Sequence, residues 1–90
     1  MKVYLYTEYD DEMAFGEIFN LVFSDIEKAK ETLSARVERW FGDEYTFSEI
    51  LANKDGRFYH EDDTVRDDYV SIPNGCGGYI FFTITPMEVE

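Results

Sequence analysis

The amino-acid sequence predicts an α+β domain: an antiparallel sheet of about four to five strands with one long helix, about residues 25–41, packed on one face. Three observations carry this. "SDIE" (Ser24 to Glu27) has capping-box spacing and is followed by apolar residues at steps of three and four. Runs rich in β-branched and aromatic residues stand at both ends of the chain. Asn74-Gly75 falls between two such runs, a tight-turn signal that pairs them as a hairpin.

Taken in order, "KVYLYTEY" reads as a strand with apolar residues on both faces. "DDEM" (Asp10 to Met13) reads as a turn tip, and "AFGEIFNLVF" as a second strand hairpinned to the first. Gly16 within it marks a bulge. Ser24 is the expected N-cap of the long helix. Ile26, Ala29, Leu33, Val37 and Trp40 share one helical face, and Gly42 stops the helix.

The segment 45–53 admits two readings. Phe47, Ile50 and Leu51 suit a helix, and Thr46 and Glu49 have capping-box spacing. A strand would align Tyr45, Phe47, Glu49 and Leu51 on one face, where Glu49 is out of place. A short second helix over about 47–53 is the favoured reading. "KDG" is a turn and "RFYH" a short strand. "YVSI" and "YIFFTIT" are the last two strands, and Pro86 should end or edge the second of them.

The 90 residues form a single domain, 1–90, with no repeat and no interdomain linker. Aromatics make up 18% of the chain, enough for a packed core rather than a disordered tail. No apolar run spans a bilayer and no secretory signal opens the chain. With one cysteine, Cys76, no internal disulfide can form, so a reducing, cytoplasmic setting is expected.

Net charge is −12, which disfavours direct contact with nucleic acid or anionic membrane. The excess is unevenly spread. Residues 18–42 balance to zero, residues 1–17 carry −4 and residues 43–68 carry −6. The densest stretch is "HEDDTVRDD", residues 60–68.

Several chemistries fit this pattern poorly. His60, Glu61, Asp62 and Asp63 are metal donors by type, but the calcium-loop spacing is missing and zinc would want more His or Cys. Cys76 with His60 would need an electropositive setting to hold a thiolate, and the surroundings are acidic. "GCGGY" leads into a strand, whereas a phosphate loop leads into a helix. Carboxylate pairs for glycoside hydrolysis are uninformative among 20 acids. A non-enzymatic protein without a cofactor or a dedicated metal site is therefore expected.

The opening "MKVYLYTEY" followed by "VFSDIEKAKETL" resembles a layout of small phage and mobile-element proteins. In those a hairpin leads into a helix through an F-S-x-x-E-K-A step, here Phe23, Ser24, Glu27, Lys28 and Ala29. In size and acidity the chain is also similar in type to phage anti-restriction and anti-CRISPR proteins that mimic DNA. That resemblance implies an inhibitor and transfers no binding residues.

The functional expectation is an acidic binding protein that blocks the basic, nucleic-acid-binding surface of a partner protein, such as a host defence nuclease. Its carboxylates would stand in for phosphates. The expected contact residues are Glu8, Tyr9, Asp10, Asp11, Glu12, Tyr59, Glu61, Asp62, Asp63, Asp67 and Asp68, with Tyr9 and Tyr59 as anchors. An immunity protein or antitoxin that neutralises a basic toxin uses the same physics. A structural rival is a homodimer built by pairing the edge of "YIFFTIT" or of the first strand, with the acids serving only solubility.

Overall fold

A computed structural model describes residues 1–11, 19–75 and 77–89. Its elements are β1 (Lys2–Asp10), β2 (Phe19–Phe23), α1 (Ile26–Trp40), α2 (Phe47–Ala52), a single 3₁₀ turn (Lys54–Gly56), β3 (Thr64–Val65), β4 (Tyr69–Pro73) and β5 (Tyr79–Glu88). The five strands form one antiparallel sheet in the order β2-β1-β5-β4-β3. The expected α+β architecture is present, with α1 as its main helix and α2 as the short second one. Glu12, Gly16 and Cys76 lie outside the described residues, and so do the expected bulge and most of the first turn tip.

Side chains alternate across a strand, so register assigns each residue to a face. Tyr6 lies opposite Ile84, Glu8 opposite Phe82, and Phe82 opposite Val70. This face meets α1 and α2. Tyr6, Val70, Ile72, Ile80 and Phe82 are buried there against Leu33, Val37 and Ile50. Every buried strand residue among those described belongs to this face.

Among the described residues, no helix or second sheet layer covers the other face. β1 contributes Val3, Leu5, Thr7 and Tyr9, and β2 contributes Asn20 and Val22. β5 contributes Tyr79, Phe81, Thr83, Thr85 and Met87, flanked by Tyr69, Ser71 and Pro73 of β4 and Thr64 of β3. All are half-buried or exposed.

α1 begins one residue later than expected. Its N-cap is Asp25, whose carboxylate accepts the Glu27 N–H at 2.9 Å. Asp25 has extended φ and ψ, and its carbonyl accepts the first helical hydrogen bond, from Ala29. Ala29, Leu33 and Val37 are buried as their spacing requires. Trp40 completes the stripe in sequence but is 41% exposed at the end of the helix. Gly42, at φ +82, donates its N–H to the Arg39 carbonyl and closes the helix.

The capping box of α2 is complete: Thr46 Oγ1 accepts the Glu49 N–H, and Glu49 Oε1 accepts the Thr46 N–H. Ile50 is fully buried, whereas Leu51 is exposed. The expected strand at "RFYH" does not form. The Asn53 side chain takes the Phe58 and Tyr59 N–H groups and donates to the Tyr59 carbonyl, so these groups have no ladder to join. The strand before β4 is instead Thr64–Val65, opposite Ser71 and Val70.

β4 and β5 form the expected hairpin. Asn74 N–H donates to the Gly78 carbonyl, and Gly78 N–H donates back to Asn74 Oδ1. Gly75 and Gly77 both have positive φ, the region that a loop this tight demands. β5 runs through Pro86 to Glu88. Ile84 N–H points toward the β4 side, to the Asp68 carbonyl, and by alternation so would an N–H at residue 86. β4 pairs with β5 only as far as Thr83, so the missing donor faces an open edge. The sheet order corrects one expectation. β1 and β5 are interior strands, and the outermost ones are β2 and β3.

Candidate protein-binding surface

α2 is held in a small lobe by side chains at both of its ends. Asn53 caps its C-terminus in the left-handed conformation, at φ +47. The same side chain then folds residues 58 and 59 back beside the helix. Tyr59 donates its hydroxyl to the Leu51 carbonyl. Before α2, Tyr45 packs edge-on against Phe58, with ring centroids 4.8 Å apart, and Phe58 packs edge-on against Phe41. Arg57 lies over both the Tyr45 and Phe58 rings. The chain on either side of α2 is thereby brought together.

This lobe carries exposed carboxylates at Asp43, Glu44, Asp55, Glu61 and Asp62. None of these side chains has a hydrogen-bond or ion-pair partner among the described residues. The lobe has two cations: Arg57 lies over aromatic rings, and exposed Lys54 is paired with no acid among the described residues. Leu51, 39% exposed, adds an apolar contact to the lobe. A shallow open depression lined by Asn53, Gly56, Tyr59, His60, Glu61 and Asp62 lies on its surface.

The other acids marked out by the sequence are engaged within the fold. Glu8 is on the helix-covered face, its side chain 13% exposed, and accepts a 2.8 Å hydrogen bond from Arg36 Nε. Arg36 also lies over the Phe19 ring. Asp10 Oδ1 accepts from Asn74 Nδ2 at 2.7 Å, and Asp11 Oδ1 accepts from the Tyr79 N–H at 2.7 Å. These two bonds tie the end of β1 to the β4–β5 hairpin. Asp63 Oδ2 accepts the His60 N–H and closes a turn. Asp67 pairs with Lys30 at 3.1 Å and raises the pKa of its ammonium, first by hydrogen bonding and then by charge. Asp68 pairs with Arg66.

The fold also separates the two expected acidic segments. Asp67 and Asp68 form the tip of the β3–β4 hairpin, whereas Asp10 and Asp11 stand beside the β4–β5 loop, beyond the opposite end of β4. Of the two expected anchors, Tyr9 is on the open sheet face, stacked on Phe81. Tyr59 is half-buried and fixed to Leu51. Asp43, Glu44, Asp55, Asn53 and Leu51 were not among the expected contacts. Asn53 was legible only as a helix end, because its three contacts with residues 58 and 59 have no periodic signature.

No group of three or more His, Cys, Asp or Glu arranged to hold a metal ion occurs among the described residues. No described helix is long and apolar enough to cross a membrane. Beside β1, the Tyr6 hydroxyl is buried without a hydrogen-bond partner of normal geometry. Burial, and then the Glu8 carboxylate, push its pKa upward, so it stays neutral. Comparison with known protein families, with curated proteins and with solved structures gave no match to this chain.

Proposed function

We propose that this chain is a non-enzymatic, acidic binding protein, and that the α2 lobe is its contact surface for a basic patch on a partner protein. One observation carries the reading: five exposed carboxylates of a single lobe have no cationic partner among the described residues. Carboxylates that merely support the fold are satisfied internally, as Asp10, Asp11 and Asp63 are. Those left in water can exchange hydration for arginine or lysine at a partner's surface. Leu51 supplies a small apolar centre among them. The partner class is a nucleic-acid-binding protein, whose phosphate-gripping cations suit such an array. A phage-encoded inhibitor of a host defence nuclease is one role of this kind.

The test is capture of basic partners from host lysate by wild type and by Glu61→Lys/Asp62→Lys, at low and high salt and with competing duplex DNA. The expected result is a partner that duplex DNA displaces, salt releases and the variant loses. Asp67→Asn, which changes an engaged acid away from the lobe, should retain it. A variant that keeps every salt-sensitive partner of the wild type would overturn the assignment of the lobe.

A further inference from the structure

We infer that the open face of the sheet is a self-association surface, on which a second copy of this chain packs sheet against sheet. The observation is independent of the acidic lobe. Fifteen strand residues point to this face, and none is Asp, Glu, Lys, Arg or His. In a chain that is 31% charged, a face of average composition would carry four or five charges. The strand positions of the covered face do carry charge, at Lys2, Glu8, Asp10 and Glu88. At the border of the open face, Arg66 lies over the Tyr69 ring and pairs with Asp68, and Asp11 is hydrogen-bonded to Tyr79.

Charge complementarity selects the occupant. A basic partner, the kind that a net charge of −12 attracts, would find nothing on this face with which to pair. An uncharged surface is complementary to another uncharged surface, and the strand residues of this face form one, with Arg66 over Tyr69 as a charge at its border. Its centre is contiguous. Tyr9, Phe81 and Tyr79 stack along one end, and the Thr7–Thr83–Tyr69 row crosses the middle. With strands about 4.8 Å apart and a rise of about 3.3 Å, each residue covers about 16 Å² of sheet plane. The 31 strand residues then give about 500 Å² per copy, and a face-to-face pair covers about 1,000 Å² before side-chain relief is counted. That meets the roughly 1,000 Å² an interface should clear and places the pair among weak, reversible associations. Sheets that pack in this way lie about 10 Å apart with interdigitating side chains, and the arrangement is isologous.

Sedimentation velocity on the intact chain tests the inference. A dimer is expected at about 100 µM, and it should tighten as salt screens the repulsion between two anionic copies. Thr83→Arg places one charge per copy at the centre of the face and should weaken the dimer about 100-fold. Ala35→Ser, at an exposed position of α1 on the opposite side of the sheet, should leave it unchanged. Circular dichroism and cooperative unfolding establish that each variant folds. Should Thr83→Arg fail to fold, Val22→Arg asks the same question at a position already 65% exposed. A monomeric wild type, a dimer indifferent to a folded face variant, or a dimer that salt dissociates would each overturn the proposal. So would occupation of the face by a different protein in place of a second copy.

Discussion

The end of β1 and the α2 lobe are both rich in carboxylates, but they use them differently. At the end of β1, Glu8 is held by Arg36, Asp10 by Asn74 and Asp11 by the Tyr79 N–H. In the α2 lobe, the exposed side chains of Asp43, Glu44, Asp55, Glu61 and Asp62 have no hydrogen-bond or ion-pair partner among the described residues. The first set positions strands, and the second leaves its charge for something outside the chain. Acid count alone does not distinguish the two. What separates them is whether each oxygen already has a donor.

The sharpest way to break this comparison is at Asn53, which holds the lobe together without carrying charge. Asn53→Ala removes three hydrogen bonds to residues 58 and 59 and strains a left-handed residue. Urea unfolding should show a loss of about 4 kcal/mol, from roughly 1 kcal/mol per net hydrogen bond plus about 1 kcal/mol for the backbone. Asn53→Gly should recover part of it, because glycine relieves only the strain.

On the other side, Arg36→Ala leaves Glu8 largely buried without its cation. A loss of about 2 kcal/mol is expected, less than for a fully buried pair because Arg36 reaches solvent. If this variant were neutral, the β1 acids would be no more structural than those of the lobe.

Tyr6→Phe acts beside the same pair and in the opposite direction. It removes a buried hydroxyl that has no hydrogen-bond partner of normal geometry among the described residues, so stability at neutral pH should rise by about 1 kcal/mol. The two proteins should also differ in alkali. Tyr6 ionises near its ordinary value of 10.0 in the unfolded chain, but its pKa is raised in the fold. Above pH 10 the unfolded state therefore binds fewer protons than the native state, and wild-type stability falls as pH rises. Lys30, whose pKa is also raised, adds to that fall above its ordinary 10.5. In Tyr6→Phe the Lys30 part should remain and the Tyr6 part should vanish. The smallest effect belongs to the lobe: Glu61→Gln/Asp62→Asn should change stability by less than about 0.5 kcal/mol.

Local signals were legible in the sequence. The α1 stripe, the Thr46–Glu49 capping box and the Asn74-Gly75 hairpin all act over a few residues, and all three formed. Ser24 and Asp25 are both good caps, and which one serves depends on where β2 releases the chain. The strand expected at "RFYH" gave way to Asn53, whose side chain competes for the same N–H groups. The pairing of the acids was not legible. Glu8 finds Arg36, and Lys30 finds Asp67, only because the sheet and helix bring distant segments together. The unpaired carboxylates of the lobe emerge by subtraction once those tertiary bonds are known.

β1 and β5, the first and last strands, lie side by side in the interior of the sheet, and the Met1 and Val89 backbones exchange hydrogen bonds at its end. During synthesis β1 therefore leaves the ribosome long before its principal neighbour exists. The aromatic strand must wait in solution or on a chaperone until residues 79–88 emerge. Completion depends on closing the longest loop in the molecule, so folding should fall among slow, non-local topologies, and a truncated translation product should be prone to clumping rather than to partial activity.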